Sequence, residues 1–291
     1  MTNNSLFIVS QHRTGSTLLK NILDKHSSVS MAFDEMNLFE PFRKNTLDRL
    51  LANGDTDAER FISLIKKKKI YGTFWTEFER SGISFTKLRK GLEPHHALTP
   101  GNVLMEILIL LKKKNNAQIS GVKYPLHVSK IDYLINNFPS SVILFLTRNP
   151  KAIIASKLND PATKKRKNKS FLHRILIHYF TLIYFSLEYV ISVNKYMKHK
   201  NRVVLLTYEQ MVKNLRNETE RICNILAIPF EENMLSATGK TSSYSGNQPE
   251  DVYVESLNKY NKVLNRFDSK LIDAITKKHY KKVQNESDIN I

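Results

Sequence analysis

The sequence has little cysteine and few carboxylates. Cys223 is the one cysteine in 291 residues, so no internal disulfide can form, which suits a reducing compartment. In "ETERICNILAIPF" it stands among apolar helical positions and reads as a core residue. Against 45 Lys and Arg there are 27 Asp and Glu, a formal charge of +18, which favours anionic partners: nucleotides, phosphates, acidic glycans, nucleic acid or a membrane surface. Much of the excess lies in runs (Lys66 to Lys69, Lys112 to Lys114, "KKRKNK" at 164–169 and "KKHYKK" at 277–282), which read first as solvated helix ends and loops. A strand that begins by about residue 5 leaves no space for the charged and apolar regions of a cleaved signal peptide, so none is expected. There is no internal repeat, no linker that would divide the chain, and no aromatic-interleaved RNA motif. The GxxxxGK[ST] loop of nucleoside triphosphatases is missing too, as is a neighbouring acid to hold Mg²⁺, which removes most support for metal-assisted phosphoryl transfer.

What is present is an alternation. Apolar residues make up 41% and charged ones 25%, enough for a folded core. "SLFIVS" (5–10), "QISGVKY" (118–124), "SVILFLT" (141–147) and "RVVLLTY" (202–208) are short and apolar nearly throughout, as in a parallel sheet covered on both faces. Helical patterns lie between them, at 16–25, 56–70, 101–114, 127–137, 151–158, 171–199 and 210–227, with a last helix near 251–282. Thr99-Pro100 is a helix-start signal, and Ser129 or a neighbour is a candidate cap for the helix that Pro139 follows. Residues 34–100 show no clear strand. The pattern predicts one doubly wound α/β domain over 1–291, a central mostly parallel sheet flanked by helices, with a helical insertion around 34–117.

Two stretches place anion-binding residue types where a strand turns into a helix. In "SLFIVSQHRTGSTLLKNIL" (5–23), Arg13, Thr14, Gly15, Ser16 and Thr17 fill the loop, so a fixed cation, small hydroxyls and a helix N-terminus converge. In "LFLTRNPKAIIASKL" (144–158), Arg148 ends the strand, "NP" opens a helix, and Ser156 lies eight positions on, two turns along. Arg148 offers a planar fork for an anion and Ser156 a hydroxyl donor. An ordinary turn glycine, helix cap and surface arginine are the bland alternatives.

Together these stretches resemble the sulfotransferases that use 3′-phosphoadenosine 5′-phosphosulfate (PAPS). "FIVSQHRTGSTLL" looks like their 5′-phosphosulfate loop and "RNPKAIIAS" like their 3′-phosphate motif. "GVKYPLHVSKIDYLINNFPSSVILFLTRNP" carries their Lys-x-Pro element, and "VVLLTYEQMVKNLRNETERICNILAIPF" resembles their late strand-Tyr-Glu-helix segment. The likeness covers 5–40, 118–158 and 202–230. It implies the P-loop-like sulfotransferase fold, PAPS as co-substrate, no metal, and no nucleic-acid partner. It makes Arg13 the cation that neutralises the leaving group's bridging oxygen, aided by Ser16, Thr17 and backbone N–H groups. Lys123 becomes a contact to the transferring sulfuryl group, with an exposed strand-end lysine as the alternative.

A hydroxyl acceptor must lose a proton, and in carboxylate-base members of the resembled family a glutamate after the first helix takes it. "HSSVSMAFDEMNLFEP" offers Asp34, Glu35 and Glu40; Glu35 is preferred, although the family's proline and glycine are missing here. His12, His95, His96 and His127 are histidine alternatives. Ser243, Ser245 and Asn247 in "TSSYSGNQ" are candidates to close over the nucleotide, Tyr208 reads as a core aromatic, and Phe74, Trp75 and Phe78 as core or as a sugar platform. The implied reaction is sulfuryl transfer to a hydroxyl of a glycan or glycolipid in the cytoplasm. A kinase-like P-loop phosphotransferase and a non-catalytic basic module for nucleic acid or acidic polysaccharide are the rivals. "LIHYFTLIYFSLEYVISV" (176–193), with Glu188 as its only formal charge, reads as a buried or amphipathic helix before peripheral contact with the inner membrane face.

Overall fold

A computed structural model describes residues 5–35, 51, 56–66, 80–167, 170–236 and 257–289. Five strands, β1 (Ser5–Ser10), β2 (Val29–Glu35), β3 (Ile119–Tyr124), β4 (Val142–Thr147) and β5 (Val204–Thr207), form one sheet in the order β2-β3-β1-β4-β5. Every neighbouring pair is parallel. Among the described residues the helices are α1 (Ser16–Leu23), α2 (Ala58–Lys66), α3 (Phe85–Leu92), α4 (Pro100–Lys114), α5 (Ile131–Asn137), α6 (Pro150–Leu158), α7 (Pro161–Lys167), α8 (Phe171–Lys198), α9 (Tyr208–Lys213), α10 (Leu215–Leu226) and α11 (Arg266–Ile289).

The continuous apolar run of β1 has a reason. Successive side chains of a strand point to opposite faces, and here both faces are covered. Leu6 and Ile8 join Leu19 and Leu23 of α1 and Ile222 of α10 in one core layer. Phe7 and Val9 join Leu104 and Ile107 of α4 and Tyr189 of α8 in the other. Phe7 is fully buried and meets Phe138 edge to face, with ring centroids 5.0 Å apart. The sheet is therefore doubly wound around β1, as expected.

The order reverses at β1: the chain leaves it outward through α1 to β2, and β4 lies on its other side. Parallel α/β sheets bind ligands at such a switch point, outside the carboxyl ends of the strands. Both anion-loop stretches fall there, since β1 and β4 are neighbours paired from Leu6↔Val142 to Ser10↔Leu146.

Local expectations fare unevenly. Thr99 caps α4 with a full capping box, its hydroxyl accepting from Asn102 N–H while the Asn102 side chain accepts from Thr99 N–H, and Pro100 takes the first helical position. Ser129 does not cap α5; a 3₁₀ turn over Pro125–Lys130 leads into the helix through Lys130. The single helix expected over 210–227 is two, because Asn214 leaves helical geometry at φ −132°, ψ 51°. The last helix begins at Arg266 rather than near 251. β2 was not expected at all. Cys223 is buried, as its apolar neighbours imply, with its Sγ 3.7 Å from the Met234 sulfur.

Candidate active site

The loop after β1 is held in an unusual backbone shape. Arg13 has φ +68° and Gly15 φ +94°, both in the left-handed region that L side chains rarely adopt. Thr14 is buried and its hydroxyl donates to Gln11 C=O at 3.0 Å, tying the loop back to the strand end. The N-cap of α1 is Gly15, which has no side chain to offer, so the first-turn N–H groups that begin at Ser16 face outward for an anion. A nearly buried Ser16 and a half-buried Thr17 complete this turn.

Gly15 is required for a second reason. A Cβ placed there would collide with the Tyr208 ring. Gly15→Ala should therefore cost about 2–5 kcal/mol, adding roughly 1–2 of left-handed strain to roughly 1–3 of overpacking. Thermal melting is expected to fall by several degrees; an unchanged melting temperature would contradict this packing.

Arg148 follows β4, and its neighbours hold it from behind. Its guanidinium lies over the Tyr208 ring, 4.1 Å from the centroid. Burial pulls its pKa below the usual arginine value, Tyr208 and Glu209 oppose that, and Arg13 adds to it. Glu209 accepts from Asn149 N–H at 2.8 Å, which fixes the turn that carries Arg148, and its own pKa is raised by burial. Asn149 caps α6 by accepting from Lys151 N–H at 2.9 Å, with Pro150 at the first helical position, so the expected "NP" helix start is present.

The two corners meet. Arg13 Nε donates to Ser156 Oγ at 2.9 Å, a bond across 143 positions of sequence. Arg13, Arg148 and Ser156 line one cleft of about 280 Å³, together with Asn159 of the segment after α6 and Lys259 and Tyr260 before α11. Three cations, Arg13, Arg148 and Lys259, thus converge on one space, which favours an anion there. Lys151 ties α6 to α11 through Asp273 at 2.7 Å, which holds the far wall in place.

Lys123 is fully buried, which excludes the exposed strand-end alternative, and its Nζ donates to Thr17 Oγ1 at 3.3 Å. It sits on β3 beside Ile8 of β1 and, on the other side, in register with Glu35 of β2. The backbone of Glu35 thus ends the edge strand at the same rim as the anion loop. The side chains of Asp34, Glu35 and His127 lie outside those described, and Glu40, Phe74, Trp75, Phe78, Ser243, Ser245 and Asn247 outside the described residues. His12 is half-buried in the loop after β1; His95 and His96 are exposed before α4.

Sequence reasoning missed the part played by Tyr208 and Glu209, and the contribution of Asn159, Lys259 and Tyr260. Tyr208 does more than fill core: it touches the Gly15 side of one loop and carries Arg148 of the other. The available signals were its position directly after a strand and the Tyr-Glu pair of the late segment quoted above.

Comparison with solved structures gives folds of the same kind. A sulfotransferase domain from the curacin biosynthetic pathway aligns with a TM-score of 0.56 and 18% identity, covering 93% of this chain and 96% of its own. The sulfotransferase domain of the Synechococcus PCC 7002 olefin synthase gives 0.52 and 17%, with 93% and 94% covered. Mouse sulfotransferase SULT7A1 gives 0.54 and 10%, with 98% and 88% covered. No curated protein sequence matches the chain. A family model described as "Sulfotransferase family" matches residues 5–232, which include both anion corners and all five strands. The chain belongs to the sulfotransferase family.

Proposed function

We propose that this enzyme moves the sulfuryl group of PAPS to a hydroxyl of a glycan or glycolipid. The observation that carries the donor assignment is the convergence of Arg13 and Arg148 on one cleft, from two separate strand-to-helix corners. PAPS carries a 5′-phosphosulfate and a 3′-phosphate, and so asks for two anion cradles on one sheet edge. The cleft is near the lower end of ligand-pocket volumes, which suits the phosphoribose end of a nucleotide. Mouse SULT7A1, which shares the fold, was solved in complex with PAP, adenosine 3′,5′-bisphosphate, the spent form of this donor.

In this reading the first-turn N–H groups of α1, with Ser16 and Thr17, hold the 5′-phosphosulfate, and Thr14 keeps the loop in shape. Arg148 and Ser156 hold the 3′-phosphate, with Ser243 and Ser245 closing over the nucleotide. Glu35 takes the acceptor's proton as its oxygen attacks sulfur in line. The bond between sulfur and the bridging oxygen breaks, Arg13 neutralises the charge left on that oxygen, and Lys123 contacts the transferring sulfuryl group. The sulfated acceptor and adenosine 3′,5′-bisphosphate leave, and no metal is needed to balance the step. The glycan or glycolipid acceptor follows from the likeness to carboxylate-base members. We take 1–291 as one sulfotransferase domain, with the acceptor side built from the segment around 34–117. The cytoplasm is the compartment in this reading, supported by a single, buried thiol.

Adenosine 3′,5′-bisphosphate should raise the melting temperature without added metal, since a ligand at about 100 times its Kd stabilises the folded state by about 2.7 kcal/mol. ATP with Mg²⁺ should do so much less. The reverse ranking would overturn the donor assignment in favour of a phosphotransferase.

A further inference from the structure

The long helix α8 has one face in the core and the other bare. Tyr189, Val193 and Tyr196 are buried against the sheet layer, and Leu182 packs with Ile154 of α6 and Ile272 of α11. On the opposite side Leu172, Leu176, Phe180, Leu187 and Ile191 are each between 49 and 71% exposed. From Leu172 to Ile191 this stripe runs about 28 Å at 1.5 Å per residue. It continues onto α11, where exposed Phe267 meets Tyr179 edge to face with centroids 6.0 Å apart. Apolar patches of this size on a soluble domain mark an interaction site.

Charge decides what covers it. One end of the stripe carries Arg174 and the exposed Lys164 and Lys165 of α7; the other carries Lys195 and Lys198, which share a single carboxylate, Asp132. Glu188, the only acid of the helix, is half-buried within reach of the Lys157 charge. A second copy laid on this face in either direction would bring cationic ends against cationic ends. An anionic lipid surface would neutralise both. The helix cannot cross a bilayer while its inner face is welded to the fold, so it would lie in the plane of the interface.

We infer that the outer face of α8, flanked by the basic residues of α7, docks this enzyme on an anionic membrane surface. The inference is independent of the donor assignment. Flotation with vesicles tests it, using phosphatidylcholine alone and equal parts phosphatidylcholine and phosphatidylglycerol. The protein should float with the anionic vesicles about tenfold or more better than with the neutral ones, given roughly one kcal/mol per basic residue near the surface. Leu176→Glu with Phe180→Glu and Leu187→Glu should abolish flotation while keeping the wild-type melting temperature and its response to adenosine 3′,5′-bisphosphate. Lys164→Glu with Lys165→Glu, at sites outside the core, should weaken it about thirtyfold or more. No flotation with either vesicle, equal flotation with both, or a dimer that the triple variant dissociates without any vesicle binding would each overturn the inference.

Discussion

Glu35→Gln should lower kcat by about 10²–10⁴-fold, the usual contribution of a positioned general base, while the affinity for adenosine 3′,5′-bisphosphate stays unchanged. The expectation comes from placement. Glu35 ends β2 in register with Lys123 of β3, which in turn sits beside Ile8 of β1, one strand from the loop that carries Arg13. The carboxylate-bearing strand end and the anion loop therefore share one rim, with Lys123 between them. Gln keeps the shape and loses the basic oxygen, so a steady-state assay with labelled donor separates a proton-accepting role from a packing role. Turnover at the wild-type rate would remove Glu35 from the mechanism and bring Asp34 forward as the base.

Arg148→Ala should weaken donor binding by about 30–150-fold, corresponding to loss of a charge-assisted contact of roughly 2–3 kcal/mol. Its guanidinium is preorganised: Tyr208 supports one face at 4.1 Å and Glu209 fixes the adjacent turn at 2.8 Å. Little side-chain entropy is then left to lose on binding, which raises the contact above an ordinary surface ion pair. Arg148→Lys should recover only part of the affinity, since an ammonium neither stacks on Tyr208 nor presents a fork to phosphate. Calorimetric titration reads both variants.

The fold was legible where the physics is local. β1, β4 and β5 are apolar on successive residues and β3 is buried throughout because the sheet is covered, and "SLFIVS" or "SVILFLT" admits little else. β2 escaped because "VSMAFDE" mixes serine and two acids into a strand at the sheet's edge, where pairing with β3 shifts between Met31 and Glu35. The break at Asn214 between α9 and α10 has no breaker residue to announce it, since asparagine is tolerated in helices.

The site divides the same way. Each anion corner is a contiguous strand-loop-helix unit, so Arg13 and Arg148 could be picked out from their neighbours, and the adjacency of β1 and β4 then brings them together. Tyr208, Lys259 and Tyr260 reach the same region from far along the chain. Nothing in a local window marks a residue whose importance comes from tertiary contact alone.

Arg13 and Arg148 are read here as gripping opposite ends of one nucleotide, and a ligand pair tests that most directly. Adenosine 3′,5′-bisphosphate and adenosine 5′-monophosphate differ only in the 3′-phosphate, so their affinities for wild type and Arg148→Ala form a closed cycle. The prediction is that Arg148→Ala weakens the bisphosphate severely and leaves the monophosphate unchanged. Equal losses for the two nucleotides, or none for either, would contradict it.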